Sequence, residues 1–219
     1  MGRGEKMDAK NISLQTLRRL PVYLHYLRTV RDQYVNISAT AIADKLGLND
    51  VQVRKDLASV SGSGRPKTGY NTCELIEQLE TYLGCNTRCP AVLVGAGNLG
   101  KALLSYNGFE DYGLEIIAAI DEDPTLAGIH INGKPVLPRT CLKALCETSD
   151  VRLGIITVPA FAAQSVCDEL ISYGIRAIWN FAPMIPRVPS YVQVENENLA
   201  SSLAVLSRHW RNSEDRTIE

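Results

Sequence analysis

A strand-like apolar run, Ala91, Val92, Leu93 and Val94, leads directly into Gly95-Ala96-Gly97-Asn98-Leu99-Gly100. Glycines on this G-x-G-x-x-G spacing each have a separate task. Gly95 allows a tight turn, Gly97 lets a pyrophosphate approach the backbone, and Gly100 lets the following helix lie close on the strand. With Ala96 and Leu99 set between them, a helix starting at Asn98 would aim its free N–H groups and positive dipole end at phosphates. An ordinary Gly-rich strand-to-helix turn can share the spacing, so the context decides. A second apolar run over 115–120 ends in Asp121, about 20 residues past the last glycine, where a dinucleotide site needs an acid for the ribose hydroxyls. Glu122 and Asp123 follow it and no Arg does, which disfavours a 2′-phosphate and points to NAD+ and NADH.

A chain of 219 residues suits one large or two small domains. Its charge is unevenly spread: residues 1–70 carry 12 Lys and Arg against 6 Asp and Glu, and residues 71–219 carry 11 against 18. A basic first third on a chain of net charge −1 points to a polyanion partner for that part alone. The six cysteines form no C-x-x-C pair and no His/Cys cluster has zinc spacing, so free thiols in a reducing cytoplasm and no metal are expected. No apolar run approaches the roughly 18 residues of a membrane span, and no signal peptide is visible. Residues 1–11, polar and Gly-containing, read as a disordered arm.

Residues 12–84 have the pattern of a winged helix. After a Ser13 cap, Leu14, Leu17, Leu20, Leu24 and Leu27 recur at spacings of three and four, which predicts a helix over 13–30 with one apolar face. Pro21 predicts a kink or a short break in it. Ser38 caps a second helix with Ala39, Ile42, Ala43 and Leu46 inward; Gly47 ends it, and Asn49 caps a third over about 50–60. Helix, short Gly-containing turn, helix is a helix-turn-helix signature. With Val51, Val53 and Leu57 as the apolar face of the third helix, Gln52, Arg54, Lys55 and Ser59 are left facing outward. Those residue types contact base edges and phosphates in a major groove. The basic loop over 61–70 is placed to be the wing, with Arg65 and Lys67 reaching DNA, and a helix over 73–83 completes the unit before a linker at 85–89.

Beyond Asp121, an extended segment at 135–138, helices at 140–146 and 161–173, and apolar runs at 153–158 and 175–181 alternate. Alternation of this kind predicts an α/β domain over 88–195, a Rossmann-like doubly wound parallel sheet. Ligands bind outside the carboxyl ends of such strands, so Thr157, Val158, Pro159, Asn180 and Phe181 sit on the edge suited to the nicotinamide half. A strand at 192–194 follows, then a helix over 196–212 opened by Asn196. Its stripe of Leu199, Leu203, Leu206 and Trp210 suits its own sheet or a partner's equally.

A winged helix, a dinucleotide domain and one C-terminal helix, in that order, resemble the Rex family of redox-sensing transcriptional repressors over about residues 12–210. The resemblance rests on Arg19-Leu20-Pro21-Val22-Tyr23, Val53-Arg54-Lys55-Asp56-Leu57, Gly69-Tyr70, the glycine turn at 95–100, Tyr106, Asp121, Thr157-Val158-Pro159, Ala162-Ala163-Gln164, Gly174-Ile175 and Asn180-Phe181. It implies a homodimer in which each C-terminal helix swaps into a groove of the other subunit. It also implies NADH or NAD+ in each dinucleotide site, and NADH-driven release from a palindromic double-stranded DNA operator.

Two departures from the family's pattern bear on function. Ala58-Ser59-Val60-Ser61 replaces an aromatic-rich stretch and Pro66-Lys67 alters the wing, so a different operator sequence is expected. In the family an Arg of the first helix can pair with an Asp at the start of the last, near a Tyr; here the three positions are His25, Asn198 and Tyr106. A Rex-like paralogue whose NADH response is weak or lost is therefore the alternative reading. An NAD-dependent oxidoreductase is the rival of another class; the dinucleotide part leaves no substrate domain, and His25, His130 and His209 show no base with an orienting partner. A second domain serving only dimerisation, or binding another nucleotide such as CoA, stays open.

Overall fold

The structure is a computed structural model and describes residues 12–214; the arm expected over 1–11 lies outside them. The described residues divide into two compact units, with the boundary between Thr87 and Arg88.

In the first unit, α1 (Leu14–Val30) is capped by Ser13, whose hydroxyl accepts from the Thr16 N–H. It runs unbroken through Pro21, so the expected break is absent. Its buried face is Thr16, Leu20, Tyr23, Leu24, Leu27 and Val30, whereas Leu14 and Leu17, expected inside, are exposed. The leucine spacing located the stripe but not its centre, which lies nearer Tyr23. Residues Asn36–Ile37, just before the Ser38 cap, form β1, paired antiparallel with β2 (Tyr70–Asn71). Between these strands come α2 (Ala39–Leu46) and α3 (Asp50–Ser61), capped by Ser38 and Asn49 through bonds from the Ala41 and Gln52 N–H groups. Gly47 at φ 64° ends α2 in the left-handed conformation that favours glycine. Val51, expected on the apolar face of α3, is exposed; Val53, Asp56, Leu57 and Val60 are buried. The last helix, α4 (Thr72–Leu83), closes a single core with α1, α2 and α3.

In the second unit, β3 (Cys89–Val94) is the central strand of a seven-stranded sheet. The others are β4 (Leu114–Asp121), β5 (His130–Ile131), β6 (Lys134–Pro138), β7 (Leu153–Ile156), β8 (Ala177–Asn180) and β9 (Gln193–Asn196). Their order is β5-β6-β4-β3-β7-β8-β9, and every pair is parallel except the edge hairpin β5–β6. Asn132 and Gly133, at φ 49° and 77°, form the tight turn of that hairpin. Helices α5 (Asn98–Leu104), α6 (Leu142–Thr148) and α7 (Ala160–Ser172) join strands, and two apolar clusters divide the buried residues of this unit. Because the chain leaves β3 toward β4 and later returns to β7 on its other side, the strand order reverses between β3 and β7. Asn196 ends β9 and does not open the last helix; α8 (Leu199–Glu214) begins after Asn198.

Candidate functional site

The reversal point holds the glycine turn. Gly95 has φ +102°, and a Cβ there would meet the Thr157 carbonyl oxygen at 2.8 Å. A Cβ on Gly100 would run into the Gly95 carbonyl oxygen, so only glycine lets α5 lie this close to β3. Gly97 differs from both: nothing lies within 4 Å of a Cβ built on it, and the first turn of α5 has no side-chain cap. The turn is thus closed toward the protein at Gly95 and Gly100 and open to solvent at Gly97. Asn98 and Leu99 form the start of α5 behind it.

Asp121 holds this turn from the end of β4. One of its oxygens accepts from the Ala96 N–H at 2.6 Å and the other from the Asp123 N–H at 2.9 Å. A carboxylate oxygen can accept more than one bond, so both retain capacity for ribose hydroxyls. From β7, Thr157 donates its hydroxyl to the Gly95 carbonyl at 2.7 Å, tying the two strand ends together. A cleft of about 230 Å³ opens between them, lined by Gly95, Gly97, Asp121, Thr157, Val158 and Pro159, together with Val94, Ile120, Glu122, Arg139, Phe161, Ala162 and Val166. Thr157, Val158 and Pro159, read from sequence as the nicotinamide edge, therefore share an apolar slot with the acid of the adenosine side.

Asn180 is corrected more sharply. It is fully buried, donating to the Met184 carbonyl at 2.7 Å and the Asn196 side chain at 2.9 Å and accepting from the Ala182 N–H at 3.1 Å. Its side chain ties β8 to β9 at Asn196 and closes the turn over 182–184, so its amide is engaged within the protein and does not face the cleft. Phe181 packs on Trp179 with ring centroids 4.6 Å apart, and Trp179 continues through Phe109 to Tyr106 as a row of aromatic contacts. Neither Asn180 nor Phe181 lines the cleft. Sequence reasoning missed Arg139 and Phe161 as lining residues. Phe161 had a weak signal, as the first large residue after the strand end at Pro159; Arg139 had none.

In the first unit the outward residues of α3 are not equivalent. Arg54 and Lys55 are exposed, with Arg54 paired to Asp50 at 3.1 Å. Gln52 is also exposed, but its amide donates to Asp56 at 2.8 Å. Ser59 donates its hydroxyl to the Asp56 carbonyl, so that proton is spent inside the helix, against the expectation of an outward contact. Asp56 itself is only 2% exposed and is met by Arg19 Nε at 2.7 Å, Arg19 Nη2 at 3.1 Å and the Tyr23 hydroxyl at 2.8 Å. Burial pushes its carboxyl up, yet bonds from Arg19, Tyr23, Gln52 and Thr16 outweigh this and hold it below the ordinary carboxylate value. Burial, then Asp56, pushes the Tyr23 hydroxyl up to about 12.

The wing is a tight loop in which Arg65 and Gly69 exchange backbone bonds of 2.8 and 2.9 Å, and Lys67 has φ 66°. Arg65 and Lys67 are exposed, and with Thr40 of α2 and Arg54 of α3 they line one concave surface. A recognition helix and a basic wing on one concavity can follow a phosphate backbone beside a groove.

Of the three coupling candidates, His25 lies in the first unit, and Tyr106 and Asn198 in the second. Tyr106 lies over Gly108 and meets Phe109 edge-on at 4.9 Å. Asn198 caps α8, accepting from the Ser201 N–H at 3.0 Å, a role that the sequence reading did not give it. Among the described residues no group of three or more His, Cys, Asp and Glu could hold a metal, and no helix is long and apolar enough to cross a membrane.

Residues 86–184 match the family model described as "CoA binding domain", and residues 11–58 match that described as "Putative DNA-binding protein N-terminus". The redox-sensing transcriptional repressor Rex of Bacteroides thetaiotaomicron is 39% identical over 203 residues, 92% of each chain. That of Porphyromonas gingivalis is 42% identical over 192 residues, covering 87% of this chain and 88% of that one. Among solved structures, RSP in complex with beta-NAD+ and operator DNA is similar with a TM-score of 0.87 at 32% identity, covering 95% of this chain and 96% of that one. RSP in complex with beta-NADH gives 0.85 at 32% identity, covering 96% and 100%.

Proposed function

The chain belongs to the Rex family of redox-sensing transcriptional repressors, and from that premise we propose that it binds operator DNA as a homodimer and is released when NADH occupies the second unit. It acts as a repressor and not as an enzyme, in the cytoplasm where the DNA is. The observation that carries the dinucleotide part is the glycine turn, open only at Gly97 and anchored by Asp121 beside an apolar slot. Gly97, with the free N–H groups of Asn98 and Leu99 at the start of α5, would face the pyrophosphate, Gly95, Ala96 and Gly100 would shape the turn that presents them, Asp121 would face the adenosine ribose, and Val158 and Pro159 the adenine. Arg54, Lys55, Arg65 and Lys67 would meet the DNA, with Gln52 reading a base only while Asp56 orients it. An operator-shift assay titrated with NADH and with NAD+ tests this: NADH should displace the protein and NAD+ should not. Calorimetry with NADH, NAD+ and CoA is the companion measurement, because binding of CoA alone would reassign the second unit.

A specific observation favours a second, narrower reading in which NADH displaces this protein incompletely. His25 and Asn198 cannot form an Arg–Asp pair, and the Asn198 side chain already caps α8. A ligand shifts an equilibrium only by its difference in affinity for the two states, and a pair formed in one state alone contributes about 1–3 kcal/mol of such coupling. The double change His25→Arg with Asn198→Asp should increase NADH-driven release more than either single change, and Asp can still cap the helix. Operator affinity is measured with and without saturating NADH for all four proteins. A hundredfold drop already present in the unmodified chain, or no gain in the double variant, rejects this reading.

A further inference from the structure

The cleft edge beside Asp121 carries a cation that the sequence did not announce. Arg139, just past β6, turns one edge of its guanidinium to Glu169 of α7, with Nε and Nη2 both 2.7 Å from the same carboxylate oxygen. Its remaining nitrogen, Nη1, is bonded to Glu122. The two carboxylates are unlike. Glu169 is 20% exposed and also accepts from the Tyr173 hydroxyl at 3.2 Å, whereas Glu122 is 71% exposed and stands at the cleft mouth next to Asp121. Glu169 therefore anchors Arg139, and Glu122 occupies the edge that faces the cleft.

We propose that Glu122, by occupying Nη1 of Arg139, is what makes the cleft reject a 2′-phosphate, and that Arg139 is a phosphate receptor held closed. This rests on the dinucleotide reading above, and names the groups that set its selectivity. A ribose held by Asp121 would bring O2′, or a phosphate on it, toward the adjoining Glu122 and Arg139. Glu122 and Glu169 flank one guanidinium and Asp121 lines the same cleft, so the edge is net negative and repels a phosphate dianion. Without Glu122, Arg139 would keep its anchor on Glu169 and present Nη1 to the cleft, the fork geometry that phosphate favours.

The test compares NADH and NADPH affinities by calorimetry for the unmodified chain, Glu122→Ser, Arg139→Gln and the double variant. Glu122 is exposed, so its replacement should leave the thermal midpoint unchanged. The unmodified chain should prefer NADH. Glu122→Ser should improve NADPH binding about tenfold relative to NADH, the size of one charge-assisted hydrogen bond. That gain should vanish in the double variant. A gain retained in the double variant means that loss of the Glu122 charge alone is responsible and overturns the role of Arg139. An unchanged NADPH-to-NADH ratio in Glu122→Ser, or equal binding of both by the unmodified chain, overturns the proposal while leaving the dinucleotide reading intact. Failure of the unmodified chain to bind either nucleotide overturns both.

Discussion

Two glycines three residues apart in one turn separate ligand binding from folding. Gly97 has φ −69° and open space where a Cβ would stand, so Gly97→Ala should leave the thermal midpoint essentially unchanged. The added methyl nevertheless fills the approach to the backbone N–H groups, and NADH affinity should fall at least tenfold with operator affinity kept. Gly100→Ala drives a methyl into the Gly95 carbonyl oxygen and should cost about 1–3 kcal/mol, as overpacking does. Calorimetry and thermal melts of both variants give the pair of answers; undiminished NADH binding in Gly97→Ala would remove the cofactor assignment. Asp56 provides a pH-dependent test. Its folded pKa lies below its unfolded one, so its stabilisation is complete above the ordinary carboxylate range and is lost as pH falls through the folded value. Asp56→Asn should cost about 3 kcal/mol at pH 7, toward the low end for a broken buried pair because Arg19 still reaches water. Denaturant melts should show the gap to the unmodified chain closing below about pH 4.

At the scale of the element, the proposed function has α3 and the wing divide the work of DNA recognition. Lys55 is exposed and available for the phosphate contact proposed for it, and Arg54 is its neighbour with a surface pair to Asp50. Surface pairs are worth about 0–1 kcal/mol, so Arg54 can leave Asp50 for DNA at little cost. Lys55→Ala should lower the salt slope of operator binding by about one and weaken all sequences alike. Gel-shift or anisotropy titrations across a salt series measure this. An effect confined to one base position would instead assign Lys55 to base readout. The wing depends on Gly69, at φ +79° with its Cα facing the Ile37 carbonyl, which only glycine allows. The hairpin that presents Arg65 and Lys67 is thus seated against β1 through a glycine of the loop itself.

For the whole molecule, the exposed stripe on α8 is the feature that most calls for a second copy. Leu203 and Leu206 are 67% and 65% exposed in the single chain. Burying such leucines across a two-fold axis contributes roughly 1.5–3 kcal/mol each. Leu203→Glu with Leu206→Glu should leave each unit folded by circular dichroism, yet yield a monomer in sedimentation. Operator affinity should then fall by about a hundredfold or more, because two half-sites are no longer held by one particle. A dimer that persists in this variant would place the interface elsewhere.

Local chemistry was legible from residues alone. Ser13, Ser38 and Asn49 cap helices, Gly47 ends one, and the glycine spacing marks the turn after β3, because each depends on backbone groups within a few residues. Apolar and extended runs located the six parallel strands to within a few residues, whereas the two-residue edge strand β5 was not expected. What only the tertiary structure decided is which distant side chains meet. Leu14 and Leu17 lie on the right helix but outside its buried face, and Asn180 is used up inside the sheet edge. Arg19 reaches Asp56 across 37 positions, and Arg139 reaches Glu122 across 17 and Glu169 across 30. Such meetings follow from strand order and helix packing, which no periodicity encodes. The presence of an acid at Asp121 could therefore be read from spacing, while the cation beside it could not.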